Sequence, residues 1–161
     1  MSRDRGGRIR TVRLEFNHPP GLKRTKAVRD NLSTVAVDRD CFWFGTDEGI
    51  ALDRLTSDGL DRYARHAVFD LTDFIDLPLP PVEGEVDIEG MAVQGDHLWL
   101  VGSHARTRDK PDLNKGAEKS IEKLEDTDPN PNRWTLARIP LVEGDGRRAL
   151  SRSLPGSRPR R

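Results

Sequence analysis

Two stretches of the chain share one pattern of apolar and polar positions. NLSTVAVDRDCFWFG, beginning at Asn31, and DIEGMAVQGDHLWLVG, beginning at Asp87, align with Ala36-Val37 on Ala92-Val93, Asp40 on Asp96 and Trp43 on Trp99, all 56 positions apart. After one inserted residue, Gly45-Thr46 falls on Gly102-Ser103. Each copy reads as strand, tight polar turn, strand: residues 34–37, 38–40 and 42–44 in the first, residues 91–93, 94–96 and 98–101 in the second. β-Branched and aromatic runs bounded by Arg-Asp or Gly-Asp predict β-hairpins. A supersecondary unit that recurs in this way buries its apolar face against its neighbour.

Further strands are predicted at residues 9–16, 50–55, 63–71 and 133–142, giving about eight in all. Ile121 and Leu124 stand at helical spacing in residues 117–125, which predicts one short surface helix that Asn114 would cap. Asp128-Pro129-Asn130-Pro131 is turn chemistry, and residues 106–132 read as a long excursion between strands. Leu77-Pro78-Leu79-Pro80-Pro81 reads as an extended linker. Short strands in repeats of roughly 40–50 residues with an inner Trp predict an all-β, partial β-propeller-like fold of two to three blades. The domain organisation follows: a basic N-terminal segment with the first strand over 1–30, the repeat region over 31–142 with units near 31–76 and 87–142, and a disordered basic tail over 143–161.

A closed propeller takes about four blades or more, so closure requires missing C-terminal blades, self-association, or a smaller sandwich of sheets. Uncovered edges and an apolar face would otherwise promote aggregation. The tail EGDGRRALSRSLPGSRPRR is poor in apolar residues, which predicts disorder; its abrupt composition is also what a frameshifted readthrough would produce.

Charge refines this picture. The chain has 161 residues with 27 Lys/Arg against 27 Asp/Glu, yet residues 1–30 carry nine basic and three acidic groups and residues 143–161 carry six and two, so the middle is acidic. Basic ends attract phosphates, but no aromatic residue falls between Arg147 and Arg161 and no recognition motif accompanies them, so nucleic acid is not the expected partner. No apolar run approaches the ~20 residues of a membrane span, and the arginine-rich start lacks the apolar stretch of a signal peptide, which makes the cytoplasm the expected compartment. Cys41, the single cysteine, supports neither an intrachain disulfide nor a cysteine-based zinc site.

The D-x-E-G element at Asp87, the G-S-H element at Gly102-Ser103-His104 after the Trp strand, and the arginine-bearing R-I-P-L strand at Arg138 together resemble the bacterial family catalogued as domain of unknown function 3616. The resemblance covers residues 31–142 and rests on no motif of known chemistry. It implies a propeller-like fold, and because members are generally longer, it implies that this chain holds the N-terminal part.

Candidate chemistry gathers at one end of the repeats. Asp87 and Glu89 are two apart, so in a strand both project from one face, and Asn31 and Ser33 match them in the first unit. Oxygen-bearing groups so placed would suit a Ca²⁺ or Mg²⁺ ion, held by Asp87, Glu89 and Asn31; the plainer reading makes them loop caps that accept backbone N–H bonds. His104 follows Gly102-Ser103, where loops present binding residues, and would act as a general base or ligand; its plainer role is one structural hydrogen bond. Ser103, aligned with Thr46, reads as a turn residue. Arg106, Arg108 and Lys110 form a basic comb suited to a phosphate or carboxylate, or simply a solvated loop. Trp43 and Trp99 read as core wedges rather than stacking platforms.

The function these readings favour is a scaffold or binding module for a small ligand or anion. The alternative is a divalent-metal-assisted hydrolase of phosphate or carboxylate esters, with the ion on Asp87 and Glu89, His104 moving a proton and Arg106 steadying the anion. A third alternative is a truncated chain with no activity at all.

Overall fold

The β-branched and aromatic runs on either side of Arg39-Asp40 and Gly95-Asp96 fold as two matching hairpins. In the first, β2 (Leu32–Asp38) pairs antiparallel with β3 (Cys41–Thr46); in the second, β6 (Ile88–Gln94) pairs with β7 (His97–Gly102). Cross-strand partners correspond one for one: Ala36 faces Trp43 as Ala92 faces Trp99, and Leu32 faces Thr46 as Ile88 faces Gly102. Both hairpins carry a bulge at the same place, between Leu32 and Thr34 and between Ile88 and Gly90. The spacing of 56 therefore runs unbroken to the strand ends, and Thr46 corresponds to Gly102 rather than to Ser103. The matching bulges absorb the local irregularity, so no inserted residue is needed.

Each hairpin continues into a four-stranded antiparallel meander. The first adds β4 (Ala51–Ser57) and β5 (Arg62–Asp70), with the two-residue β1 (Arg13–Leu14) running parallel to the outer edge of β5. The second adds β10 (Leu136–Gly144) and β11 (Arg147–Leu150), in the order β11-β10-β7-β6. Between β7 and β10 the chain makes the predicted excursion, which includes a small ladder of β8 (Thr107–Arg108) on β9 (Thr127–Asp128). The computed structural model describes residues 9–17, 28–80, 84–108, 121, 124–125, 127–144 and 147–154. Among these the protein is all-β, a partial β-propeller-like arrangement of two blades. Ile121, Leu124 and Glu125 are helical and exposed, and the rest of the predicted helix lies outside the described residues, as does Lys110. No helix among the described residues is long and apolar enough to cross a membrane.

The blades pack face to face. Trp43 and Leu52 of the first sheet are buried against Ile88, Leu98, Leu100, Ile139 and Leu141 of the second, in one continuous core. At Gly45 the sheets come close enough to exclude a side chain, since a Cβ there would lie 2.9 Å from Ile88 Cγ2 of the second sheet and 2.8 Å from Thr34 Cγ2 of its own. Arg54 crosses the interface: its guanidinium lies over the rings of Trp43 and Phe69, and its Nη1 donates to the carbonyl of Arg148.

After β5, a turn of 3₁₀ helix at Leu71–Asp73, capped by the Asp70 carboxylate, leads into the linker. Asn132 holds that linker from outside it. Fully buried, it accepts from Leu79 N at 2.8 Å and donates to Leu79 O at 3.0 Å and Gly84 O at 3.2 Å. Asn132 sits in a 3₁₀ turn, Pro131–Trp134, that Asn130 caps, so the Asp-Pro-Asn-Pro turn chemistry delays the start of β10 to Leu136.

The C-terminal segment departs from expectation. Strand β10 runs to Gly144 and β11 follows it, so the predicted disorder does not begin at residue 143; the segment after residue 154 lies outside the described residues. Alternation in Arg147-Arg148-Ala149-Leu150 turns Arg148 and Leu150 into the core, where both are buried. A buried Arg is invisible to an argument from mean composition, because what admits it is a carboxylate elsewhere. Here the carboxylates are Asp38 and Asp96, each 2.9 Å from the guanidinium.

Candidate functional site

The starts of the two innermost strands adjoin. Ser33, at the bulge of β2, donates its hydroxyl proton to Ile88 O, at the start of β6. Asp47 N donates to Asn31 O and Val86 N to Gly49 O, which draws the β3–β4 loop and the linker to the same end. Asn31 and Asp87, the residues just before β2 and β6, therefore lie at one end of the molecule.

Their immediate surroundings differ. Asn31 donates from Nδ2 to Glu48 Oε2 at 3.1 Å. Asp87 is buried and takes a left-handed backbone, φ +54°, a conformation that Asp adopts more readily than most residues. Its Oδ2 lies 3.1 Å from Nη1 of Arg133, whose Nη2 binds Glu85. Glu89 sits on the bulge of β6 and is exposed. The left-handed Asp87 and the bulge break the strict alternation that would have set both carboxylates on one face. Among the described residues no group of three or more His, Cys, Asp and Glu side chains is arranged to hold an ion.

Arg133 joins the rest of the site. Its carbonyl accepts from His104 N at 3.0 Å, so one residue carries Asp87 on its side chain and the His104 loop on its backbone. His104 also has φ +54°, and its ring is exposed. Two non-glycine residues in left-handed conformation thus flank one arginine, and such strain persists where surrounding contacts over-determine it. Ser103 Oγ accepts from Ala105 N at 3.4 Å, a turn role in keeping with its expected one. Arg106 is exposed and reaches Thr127 Oγ1 at 3.4 Å, and Arg108 is exposed on β8.

The structure thus brings Asn31, Asp87, Glu89 and His104 to one end and adds Arg133, which sequence reasoning placed at the start of a strand and gave no role. Asp87 is buried and Glu85 partly so, and a buried carboxylate demands a cation, but nothing in the sequence places Arg133 beside them. Trp43 is fully buried and is a core wedge, whereas Trp99 is only half-buried and carries the Arg138 guanidinium 5.6 Å from its ring centroid.

Two meandering blades joined through a shared core, with polar residues collected where the inner strands begin, define a propeller-like module. The chain belongs to the family described as "Protein of unknown function (DUF3616)", which it matches over residues 31–157. The match runs beyond residue 142, where the resemblance was expected to stop, and takes in β11. No curated protein and no solved structure matches the chain.

Proposed function

We propose that the chain is a scaffold or binding module that takes a small anionic ligand at the strand-start end, on Arg106, Arg108 and His104. The observation that carries this reading is the engagement of Arg133: Asp87 and Glu85 already have their cation, while Arg106 and Arg108, two positions apart and both exposed, follow the exposed His104 along the chain. An internal ion pair satisfies Asp87 without a metal, and a Ser103 that closes a turn is not poised as a nucleophile. Exposed planar guanidiniums in an extended strand favour oxyanions, phosphate or carboxylate, which they bind through two parallel N–H bonds. The test is a thermal-shift titration with inorganic phosphate and with a dicarboxylate. Stabilisation that saturates in wild type and disappears in Arg106→Ala/Arg108→Ala supports the reading; equal curves for both proteins defeat it.

The second reading, a Ca²⁺- or Mg²⁺-assisted ester hydrolase, draws support from the paired left-handed backbones at Asp87 and His104, since strain collects at functional sites. In it Glu89, Asn31 and Asp87 hold the ion and His104 moves the proton. Stabilisation by Ca²⁺ that Glu89→Gln abolishes, together with phosphoester turnover lost in His104→Ala, would favour it over anion binding. Silence across an ester panel removes it.

A further inference from the structure

Arg54 is a buried cation without a carboxylate. It stands on β4, 7% exposed, with its guanidinium carbon 5.6 Å from the Trp43 ring centroid and 5.2 Å from that of Phe69. Its Nη1 donates to Arg148 O, but its buried Nε meets no acceptor, and it takes part in no ion pair with a described residue. The second sheet carries the same pair, Trp99 opposite Arg138, with the guanidinium carbon again 5.6 Å from the indole centroid. Arg138 is exposed, so water solvates it. Over Arg54 the second blade takes the place of that water, and a charge so buried calls for a counter-charge.

The surrounding charges leave the deficit in place. The other buried charges here are Arg148 and Asp38, which pair with each other, and Arg148 also holds the exposed Asp96. Burial lowers the Arg54 pKa from the ordinary arginine value; Cys41 and Asp40 oppose the shift and the neighbouring Arg147 adds to it. Hydrogen bonding tells the same way. Trp43 lies directly across the strands from Arg54, and Thr56 follows two positions along β4 on the same face, opposite Cys41. Both are buried, and neither Trp43 Nε1 nor Thr56 Oγ1 has a partner. Three unmet donors therefore stand within one cross-strand step of each other, where native structures rarely leave even one. The unmet acceptor on this face, Asp38 Oδ2, lies two strands away from Thr56, beyond Cys41.

We propose that the interface between the two blades binds a halide-sized monoanion, chloride in solution, on Arg54 Nε, Trp43 Nε1 and Thr56 Oγ1. A water would accept two of the three hydrogen bonds, would need acceptors for its own two protons, and would leave the guanidinium charge uncancelled. A halide accepts all three and cancels it. The ion then ties β3 and β4 to the β11 strand that Arg54 already reaches, so cohesion of the blades depends on it. This site is buried and separate from the exposed arginines after His104, and the proposal draws nothing from the function proposed for them.

Urea unfolding of the full chain at constant ionic strength, with sodium chloride replacing sodium gluconate in steps, tests it. Once chloride exceeds its Kd, the unfolding constant of wild type is expected to fall about tenfold for each tenfold rise in chloride. The dependence should vanish in Arg54→Met, which keeps the length of the side chain but neither its charge nor its donors. It should persist in Arg106→Ala/Arg108→Ala, which separates this site from the exposed one. Thr56→Val loses one donor and should need several times more chloride for the same effect. Crystals grown with sodium bromide give a reading that needs no variant, an anomalous peak within hydrogen-bonding reach of Arg54 Nε. A wild type indifferent to chloride, a dependence that survives Arg54→Met, or a bromide crystal with only a water at Arg54 Nε overturns the proposal.

Discussion

Arg148 and Asp38 form a buried ion pair 2.9 Å long across 110 positions of chain, joining the outermost strand of the second blade to the hairpin turn of the first. Arg148 also donates to Gly95 O and to Asp96, so one guanidinium ties together both hairpin turns at the end of the molecule opposite the candidate site. Removing one member of a buried pair strands the other charge, at a cost of about 3–5 kcal/mol. Arg148→Met is therefore expected to lower the urea midpoint sharply. Adding Asp38→Asn to it should recover part of the loss, because the stranded carboxylate is then gone. An additive double variant would show that the two side chains do not interact.

Gly102 lies where two backbones converge. A Cβ there would meet Arg133 O and would lie 2.7 Å from Val86 O, both main-chain atoms that cannot swing aside. Gly102→Ala is expected to cost about 1–3 kcal/mol and to displace the His104 loop with it. Gly144→Ala, where no atom lies within 4 Å, is the control and should stay close to wild type. Thermal denaturation of both proteins, side by side, measures the difference.

Asn132 satisfies three backbone groups of the linker with one side chain. Asn132→Asp keeps the acceptor for Leu79 N but loses both donors, leaving the carbonyls of Leu79 and Gly84 beside a carboxylate. Orphaned buried groups cost about 1–3 kcal/mol each, so this nearly isosteric change should destabilise as much as Asn132→Ala or more. Chemical denaturation of the two variants ranks them, and a harmless Asn132→Asp would contradict the hydrogen-bond assignment.

Burial pushes the Cys41 thiol up to about 11 from an ordinary value near 9, with the carboxylates of Asp38 and Asp40 adding to the shift. The folded state therefore holds its proton in a range where the unfolded chain has released it. Stability is complete below pH 9 and declines between about pH 9 and 11, by at most ~1.4 kcal/mol per pH unit from this group. Cys41→Ala should flatten that part of the curve, measured by urea unfolding at successive pH values. At neutral pH the native thiol should react slowly with iodoacetamide, since the thiolate is the nucleophile.

The hairpins were legible in the sequence because Ala-Val, Asp and Trp recur at a constant interval, and because Trp and Phe beside a polar turn have few other uses. The correspondence between Arg54, opposite Trp43, and Arg138, opposite Trp99, was not, since the excursion between β7 and β10 shifts it out of that interval and only cross-strand register restores it. The last strand was hidden for a related reason: Arg148 reads as solvent-facing until Asp38 is known to lie opposite. At the candidate site the sequence located Asn31, Asp87, Glu89 and His104. It gave no sign of Arg133 as the residue that joins Asp87 to the His104 loop, because that role depends on a turn folding back over a long gap in the chain.

The excursion also orders the events of folding. In the first sheet β2 to β5 form a plain meander whose neighbouring strands follow one another through short turns, whereas β10 must find β7 across the interval 103–135. Closing such a loop carries an entropic cost that local hairpins escape, and non-local pairing slows the search. The strands β2 to β5 are thus expected to assemble early and to serve as the template on which the second sheet is completed, with β11 and its arginine clasp arriving last.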